Sequence, residues 1–495
     1  TQTAGVQFAA TVNLVDAYNN RYTGLSVGPT IYLVTSDLYD KDVSSTTLNN
    51  GTRQLPLNLV TKNAAATAKV FPVNLPDNYA CTGNGDNVCL NGNAAALTTF
   101  KVFASTATRL EVVLPGTTLV QGKCNIDPPC RDASITNPGR SGPPPAHTIG
   151  TGNMSVTVYL TDQFYNKATE AGGAAQDTIT GAATVMPQVW VSAPYDPRIP
   201  AGSTQTLVSG SAVFDVDAQT SFSTYTVRAA TTAASPPGYP YADGLSTVTV
   251  HPGPVTRLQY VLPSTTVAAG FAFSAQLYAR DAYDNICSTG PNVYLGTVTF
   301  VVTAKANPNQ APWVSADTAF YTPAEAGIKQ LTNWFKLYKA GVDTIGAYDA
   351  LAGVSVSPLT EVRVLPGDTS VYRVEPNADI EKEAGSFAYP GNMPLTASLS
   401  DAYDNSISNS GVAAYISIPE VYGSTGVLQY QQGASWVDMG VSTIVYTDAD
   451  GKIGVAPNQI AYKISTLAGD WAKVWVGTAP STGRSIPPTR PPGRI

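Results

Sequence analysis

Apolar and polar residues alternate in four short stretches of this chain, and every stretch stops at an aspartate. The apolar positions are Phe8, Ala10, Val12 and Leu14 before Asp16, and Met154, Val156, Val158 and Leu160 before Asp162. The same series recurs as Phe273, Ala275, Leu277 and Ala279 before Asp281, and as Met393, Leu395, Ala397 and Leu399 before Asp401. In each copy they stand eight, six, four and two places before the aspartate. That is the period of a β-strand with one buried face. The aspartate then opens a turn that closes on asparagine: Asp16-Ala-Tyr-Asn-Asn20, Asp162-Gln-Phe-Tyr-Asn166, Asp281-Ala-Tyr-Asp-Asn285 and Asp401-Ala-Tyr-Asp-Asn405. The aspartates are 146, 119 and 120 residues apart. Each interval is long enough for a two-sheet domain with its own core, so one β unit used four times is predicted.

Joints between the units repeat as well. Thr108-Arg-Leu-Glu-Val-Val-Leu-Pro115 and Thr256-Arg-Leu-Gln-Tyr-Val-Leu-Pro263 agree at six of eight positions, and Ser370-Val-Tyr-Arg-Val-Glu-Pro376 is a looser version. Strands ending in Pro252-Gly253 and Pro366-Gly367 precede two of them. The pattern reads as last strand, Pro-Gly turn, first strand of the next unit, and such short joints favour an elongated rod. A small Gly-bearing step follows each joint: Ala4-Gly5, Gly150-Thr-Gly152, Ala269-Gly270 and Ala384-Gly385. No segment holds a helical period over three turns, so an all-β sandwich is expected throughout. The predicted domains are 1–105, 106–252 with a Cys/Pro-rich insertion at 121–148, 253–367 and 368–478, followed by a Pro-rich extended tail at 479–495. The first lacks the opening strand that the other three carry. A sandwich without an edge strand exposes unpaired backbone and part of its core.

These residues resemble the bacterial immunoglobulin-like repeats of invasin-type adhesins and surface-layer proteins. The resemblance rests on the Gly-bearing step, the alternating strand, Asp-Ala-Tyr-Asp-Asn and the joints. It covers all four units, most closely the third and fourth. It departs in the second, where Phe164 takes the usual Tyr place, and in the first, which lacks its opening strand. The resemblance implies four tandem immunoglobulin-like sandwiches and an extracellular, cell-surface setting. It implies no ligand.

Composition narrows the partners. Charged residues make up only 13% of the chain and the formal net charge is −7, which argues against nucleic acid and against a basic membrane-surface patch. No apolar run approaches the ~20 residues of a membrane-spanning helix. No secretory leader is visible at Thr1, so an exported protein would be represented here by a mature form or a fragment. Cys81 and Cys89, and Cys124 and Cys130, form two local pairs in polar loops, as expected of disulfides made outside the cell. Cys287 is left over and reads as a buried thiol.

Catalysis has little to stand on. His147 and His251 are the only histidines, and neither has neighbours that suggest a triad. At the Asp-Asn turns, calcium held by Asp281, Asp284, Asp401 and Asp404 is weighed against a turn in which the aspartate accepts backbone N–H groups and the asparagine adopts a left-handed conformation. Ligand count favours the turn, with the following aromatic lying over the end of the core. Asn50-Gly-Thr52 and Asn153-Met-Ser155 match the glycosylation sequon at a frequency close to chance.

The expectation is a non-enzymatic extracellular structural protein without cofactor. Its partners are copies of itself, joined head to tail by strand or tail exchange into a filament, sheath or surface layer. The predicted assembly residues are Ala4, Gly5 and Phe8 at one end and Ile486, Pro487, Pro488, Pro491 and Ile495 in the tail. The alternative is an adhesin stalk whose loops bind a glycan or host receptor.

Overall fold

A computed structural model describes the chain apart from residues 73–94, 169–187, 197–203, 233–240, 376–391, 423–426, 456–458, 464–470 and 478–495, and the short stretches 17, 19, 29, 42, 194–195, 306, 308–309, 433 and 441. The tail and the Cys81/Cys89 pair lie outside the described residues, as do Ala384 and Gly385. Among the described residues the secondary structure is strand, with one 3₁₀ turn at Gly290–Asn292. Two compact parts are present. One holds residues 1–254 with 281–293, the other residues 255–280 with 294–495.

Each repeat supplies two sheets, and the patterned strand lies in one of them. In the second repeat Met154–Asp162 is the centre of a three-stranded antiparallel sheet, between Ala107–Val113 and Ser211–Val216. A five-stranded sheet faces it. The alternation now has its cause. Met154, Val156, Val158 and Leu160 are buried and pack with Val189, Phe214, Tyr225 and Val250. In the third repeat Ala272–Arg280 runs between Arg257–Val261 and Ile328–Lys336. In the fourth, Asn392–Asp401 runs between Thr369–Glu375 and the strands Lys452–Ile453 and Ile460–Lys463.

The other sheet carries a parallel pair. Gln2–Thr3 pairs with Ala95–Phe103, His147–Thr148 with Gly244–His251, and Thr266–Ala268 with Thr360–Leu365. In these three sandwiches a short strand that switches sheets ahead of the patterned strand closes one side.

The first repeat departs from this plan. Its patterned strand Phe8–Asn13 pairs with Thr52–Leu57 in a sheet of only two strands. Among the described residues nothing takes the place that Ala107–Val113, Arg257–Val261 and Thr369–Glu375 fill elsewhere. Phe8, Ala10, Val12 and Leu14 are therefore only half-buried against Ile31, Leu33, Leu48, Leu55 and Leu57, whereas Val156, Val158 and Leu160 are fully buried.

Candidate functional site

The aspartate of each turn is saturated by N–H donors. Asp162 Oδ1 accepts from the backbone of Phe164 and Asn166 at 2.9 Å each, and its Oδ2 accepts from the Asn166 side chain and from Ser105 N, both at 2.9 Å. Asp281 repeats the set with Tyr283, Asn285 and Gly253, and Asp401 with Tyr403, Asn405 and Gly367. Such a donor set does not fit calcium, which needs oxygen ligands where these carboxylates meet N–H groups. Among the described residues no group of three or more His, Cys, Asp or Glu side chains is placed to hold a metal.

The left-handed residue is the one before the asparagine: Tyr165, Asp284 and Asp404 have φ of 65°, 69° and 60°. This differs from the sequence expectation, which put the asparagine there. The asparagine has another task. Asn166 Nδ2 donates to Val60 O at 2.8 Å, and its Oδ1 accepts from Lys62 N at 2.8 Å. Asn285 does the same with Gln219 O and Ser221 N at 2.9 Å each, and Asn405 with Tyr338 O and Ala340 N at 2.7 Å each. In all three cases the primary amide reads a carbonyl and an N–H two residues apart in the preceding repeat. That segment is itself held in shape in the first two repeats. Asp37 accepts from Val60 N and Thr61 N, and Asp196 accepts from Gln219 N and Thr220 N.

The ring two places after the aspartate completes the contact. Phe164 is 1% exposed and packs with Ala4, Leu59 and Val60 of the first repeat. Tyr283 packs on the core of the second. Tyr403 lies 4.9 Å from Tyr338, centroid to centroid, at the end of the third. Gly5 (φ 75°) and Gly270 (φ 79°) form the seats of Phe164 and Tyr403, because a Cβ at either would overlap the ring. The aromatic thus covers the core of the preceding repeat rather than its own. At Gly5 and Gly270 the Gly-bearing step, the aromatic and the asparagine are parts of one clasp between neighbouring repeats.

Electrostatics follow burial. Desolvation pushes the Asp162 carboxyl up, against hydrogen bonds that favour its charged form. At Asp401 burial also acts upward, but donors from Asn405, Gly367 and Tyr403 outweigh it, so this carboxyl sits below the usual range. Asp16 sits below it as well, held by the backbone and side chain of Asn20 and the backbone of Tyr18.

The first turn has the same internal bonds. Asp16 Oδ1 accepts from Tyr18 N at 2.8 Å and Asn20 N at 2.9 Å, and Oδ2 accepts from Asn20 Nδ2 at 3.1 Å. Among the described residues no preceding repeat meets it. Asp16 and Asn20 are exposed, and Tyr18 is 85% exposed.

A second fastening joins the first two repeats. Cys124 and Cys130 form a disulfide. Far from lying in a solvated loop, both are fully buried in a cluster with Ala4, Leu59, Val102 and Phe164. The insertion holds the first repeat through Arg131 N to Tyr39 O at 2.7 Å and Lys41 to Asp127 at 2.8 Å. It holds the second through Arg140, whose Nε lies 3.1 Å from Glu111 Oε1. Burial pushes the Glu111 carboxyl up to about 7, against the pull of Arg140 and Arg109. A raised folded-state value means a contribution that is full at low pH and lost as pH rises from about 4.5 to about 7. Thermal melts of the native chain and Glu111→Gln across that window are expected to show a decline in stability with pH that the variant lacks.

Of the predicted assembly residues, Ala4 and Gly5 are covered by Phe164 of the same chain, and Phe8 lies in the open two-stranded sheet. Ile486, Pro487, Pro488, Pro491 and Ile495 lie outside the described residues. Cys287 is a buried free thiol 3.6 Å from Gly253 O, and burial pushes it up to about 12. His147 and His251 stand in the parallel strand pair of the second repeat. Among the described residues no helix is long and apolar enough to cross a membrane.

No protein-family model matches the sequence, and no curated protein matches it. Solved structures similar to the chain include the adhesin FdeC of Escherichia coli, at 16% identity, covering 74% of this chain and 94% of that one with a TM-score of 0.23. InvD of Yersinia pseudotuberculosis matches at 15% identity over 67% of this chain and 95% of that one, with a TM-score of 0.25. A β-glycosidase of Bacteroides vulgatus matches at 10% identity over 44% of this chain and 24% of that one, with a TM-score of 0.17. Bacterial adhesins are thus among the structures this chain is similar to, and its all-β sandwich fold stands on its own sheets.

Proposed function

We propose that the chain is a non-enzymatic extracellular structural protein whose copies join head to tail into a filament, sheath or surface layer. The observation that carries this is that, among the described residues, Phe8–Asn13 pairs with the single strand Thr52–Leu57, and Ala10, Val12 and Leu14 are only half-buried. A strand in a two-stranded sheet beside a half-buried core invites an extended segment from another chain. The buried disulfide fits an oxidising, extracellular setting.

The occupant is residues 479–495 of another copy. In the first three repeats the chain leaves the last strand and, within a few residues, becomes the strand beside the next patterned one. Ala95–Phe103 leads to Ala107–Val113, Gly244–His251 to Arg257–Val261, and Thr360–Leu365 to Thr369–Glu375. Residues 479–495 follow Trp471–Gly477 in the same sense. Their prolines limit ladder pairing, so they pack as an extended strap. Deleting residues 479–495 is expected to abolish polymers seen by electron microscopy while leaving monomers with an unchanged β-sheet circular dichroism spectrum. Polymers that survive the deletion would sink the tail-exchange reading.

A further inference from the structure

We propose that the Cys124–Cys130 pair is a redox gate on the first joint. Oxidised, it holds the insertion as a plug in the end of the first repeat; reduced, it lets the first repeat undock from the second. The inference needs nothing of the self-assembly reading above and goes beyond it.

The bond lies across the seam between the two repeats. On the Cys124 side the chain is held by the second repeat. Gly122 N–H donates to Phe164 O at 3.1 Å, and Lys123 Nζ donates at 2.7 Å to the carbonyl of Arg140, the residue that pairs with Glu111. On the Cys130 side the chain is held by the first repeat. Cys130 forms a β-bridge with Asp40, Lys41 N–H donates to Pro129 O at 3.1 Å, and Arg131 N–H donates to Tyr39 O at 2.7 Å. The disulfide ties these two anchorages together, with the Cα atoms 5.8 Å apart. Without it the same stretch of chain can extend to about 20 Å. That slack lets the joint open while each anchorage stays in place.

Burial couples the bond to the joint. Cys124 and Cys130 are both 0% exposed, and they pack with Ala4, Leu59, Val60 and Val102 of the first repeat and Phe164 of the second. A reducing thiolate must reach a sulfur to attack it, so the bond is shielded while the joint is closed. Opening the joint exposes the bond, and breaking the bond favours the open joint. In the reduction a dithiol supplies two electrons and two protons. The S–S bond becomes two thiols, and the dithiol closes to its own disulfide. In the reverse step a disulfide donor takes up the electrons and protons, and the joint locks. Loop-closure entropy for a ring of this size shifts the closed-to-open ratio by about 50-fold. The second joint has the single buried thiol Cys287, and no cysteine follows it in the chain. The gate therefore acts on the first joint alone.

Two measurements on the full chain test this. The double variant Cys124→Ala/Cys130→Ala is expected to speed hydrogen exchange at the Lys62 amide, which donates to Asn166 across the first joint, by about tenfold or more. The Ser221 and Ala340 amides, which report the next two joints, are expected to stay as they were. An unchanged Lys62 amide, or equal acceleration at all three, would overturn the gate. The second measurement starts from the folded native chain and does not depend on how the double variant folds. Dithiothreitol is added, and the 124–130 pair is followed by alkylation and peptide mass spectrometry. Its reduction is expected to be at least tenfold slower than in the urea-unfolded chain. Asn166→Ala, which weakens the joint without touching either sulfur, is expected to speed it about tenfold. Reduction as fast as in the unfolded chain, or indifferent to Asn166→Ala, would show that the bond breaks without the joint opening and would reject the inference.

Discussion

Gly270→Ala is expected to destabilise the third joint by about 2–4 kcal/mol. Two physical terms combine. The backbone at 270 has φ 79°, a region that costs an L-residue with a Cβ about 1–2 kcal/mol. The new methyl group would also overlap the Tyr403 ring, and forcing extra volume into a packed contact costs about 1–3 kcal/mol. The ring cannot yield freely, because Tyr403 also packs on Tyr338 and its backbone N–H is bound to Asp401. Calorimetry should show the loss as a lowered transition. Native-state hydrogen exchange at the Gly367 amide, which donates to Asp401, should accelerate about 30-fold or more. An unchanged Gly367 amide would mean that the ring does not bind this seat.

Asn405→Ala is expected to cost a similar amount for a different reason. The side chain is 1% exposed and serves Tyr338 O, Ala340 N and Asp401 Oδ2 at once. Alanine fills none of these roles and leaves the Tyr338 carbonyl and the Ala340 amide without the partner they share. Each such group costs about 1–3 kcal/mol when stranded away from water, so a loss of about 3–5 kcal/mol follows for the joint. The Ala340 amide is the direct reporter, and its exchange should rise about 100-fold. Because Gly270 and Asn405 serve one contact, the double variant should lose less than the two single losses added together. Additive losses would argue that the ring and the amide act independently.

Much of this fold was legible in the chain. Alternating apolar residues before each aspartate required a strand with one buried face, and that period does not depend on what lies opposite. The aspartate at the strand end, followed by backbone N–H groups within four residues, made a local turn certain to be satisfied locally. Comparison with the three other copies also singled out the first repeat, whose patterned strand pairs among the described residues with Thr52–Leu57 alone. The local turn was read correctly at its aspartate, while the left-handed residue proved to be the one before the asparagine.

What the sequence could not decide was where the remaining groups of each turn would point. Asn166 and Val60 are 106 residues apart, and Asn405 and Tyr338 are 67 apart. Nothing in a turn motif says that its asparagine reads another repeat's backbone. The disulfide is similar. Its pairing followed from a separation of 6 residues, but its burial against Ala4 and Phe164 depends on how the insertion folds back. The four strands and turns were thus fixed by local period and short-range hydrogen bonding. Only the packing of one repeat on the next turned Gly5, Phe164 and Asn166 into a clasp, because each contact needs groups brought together across long stretches of chain.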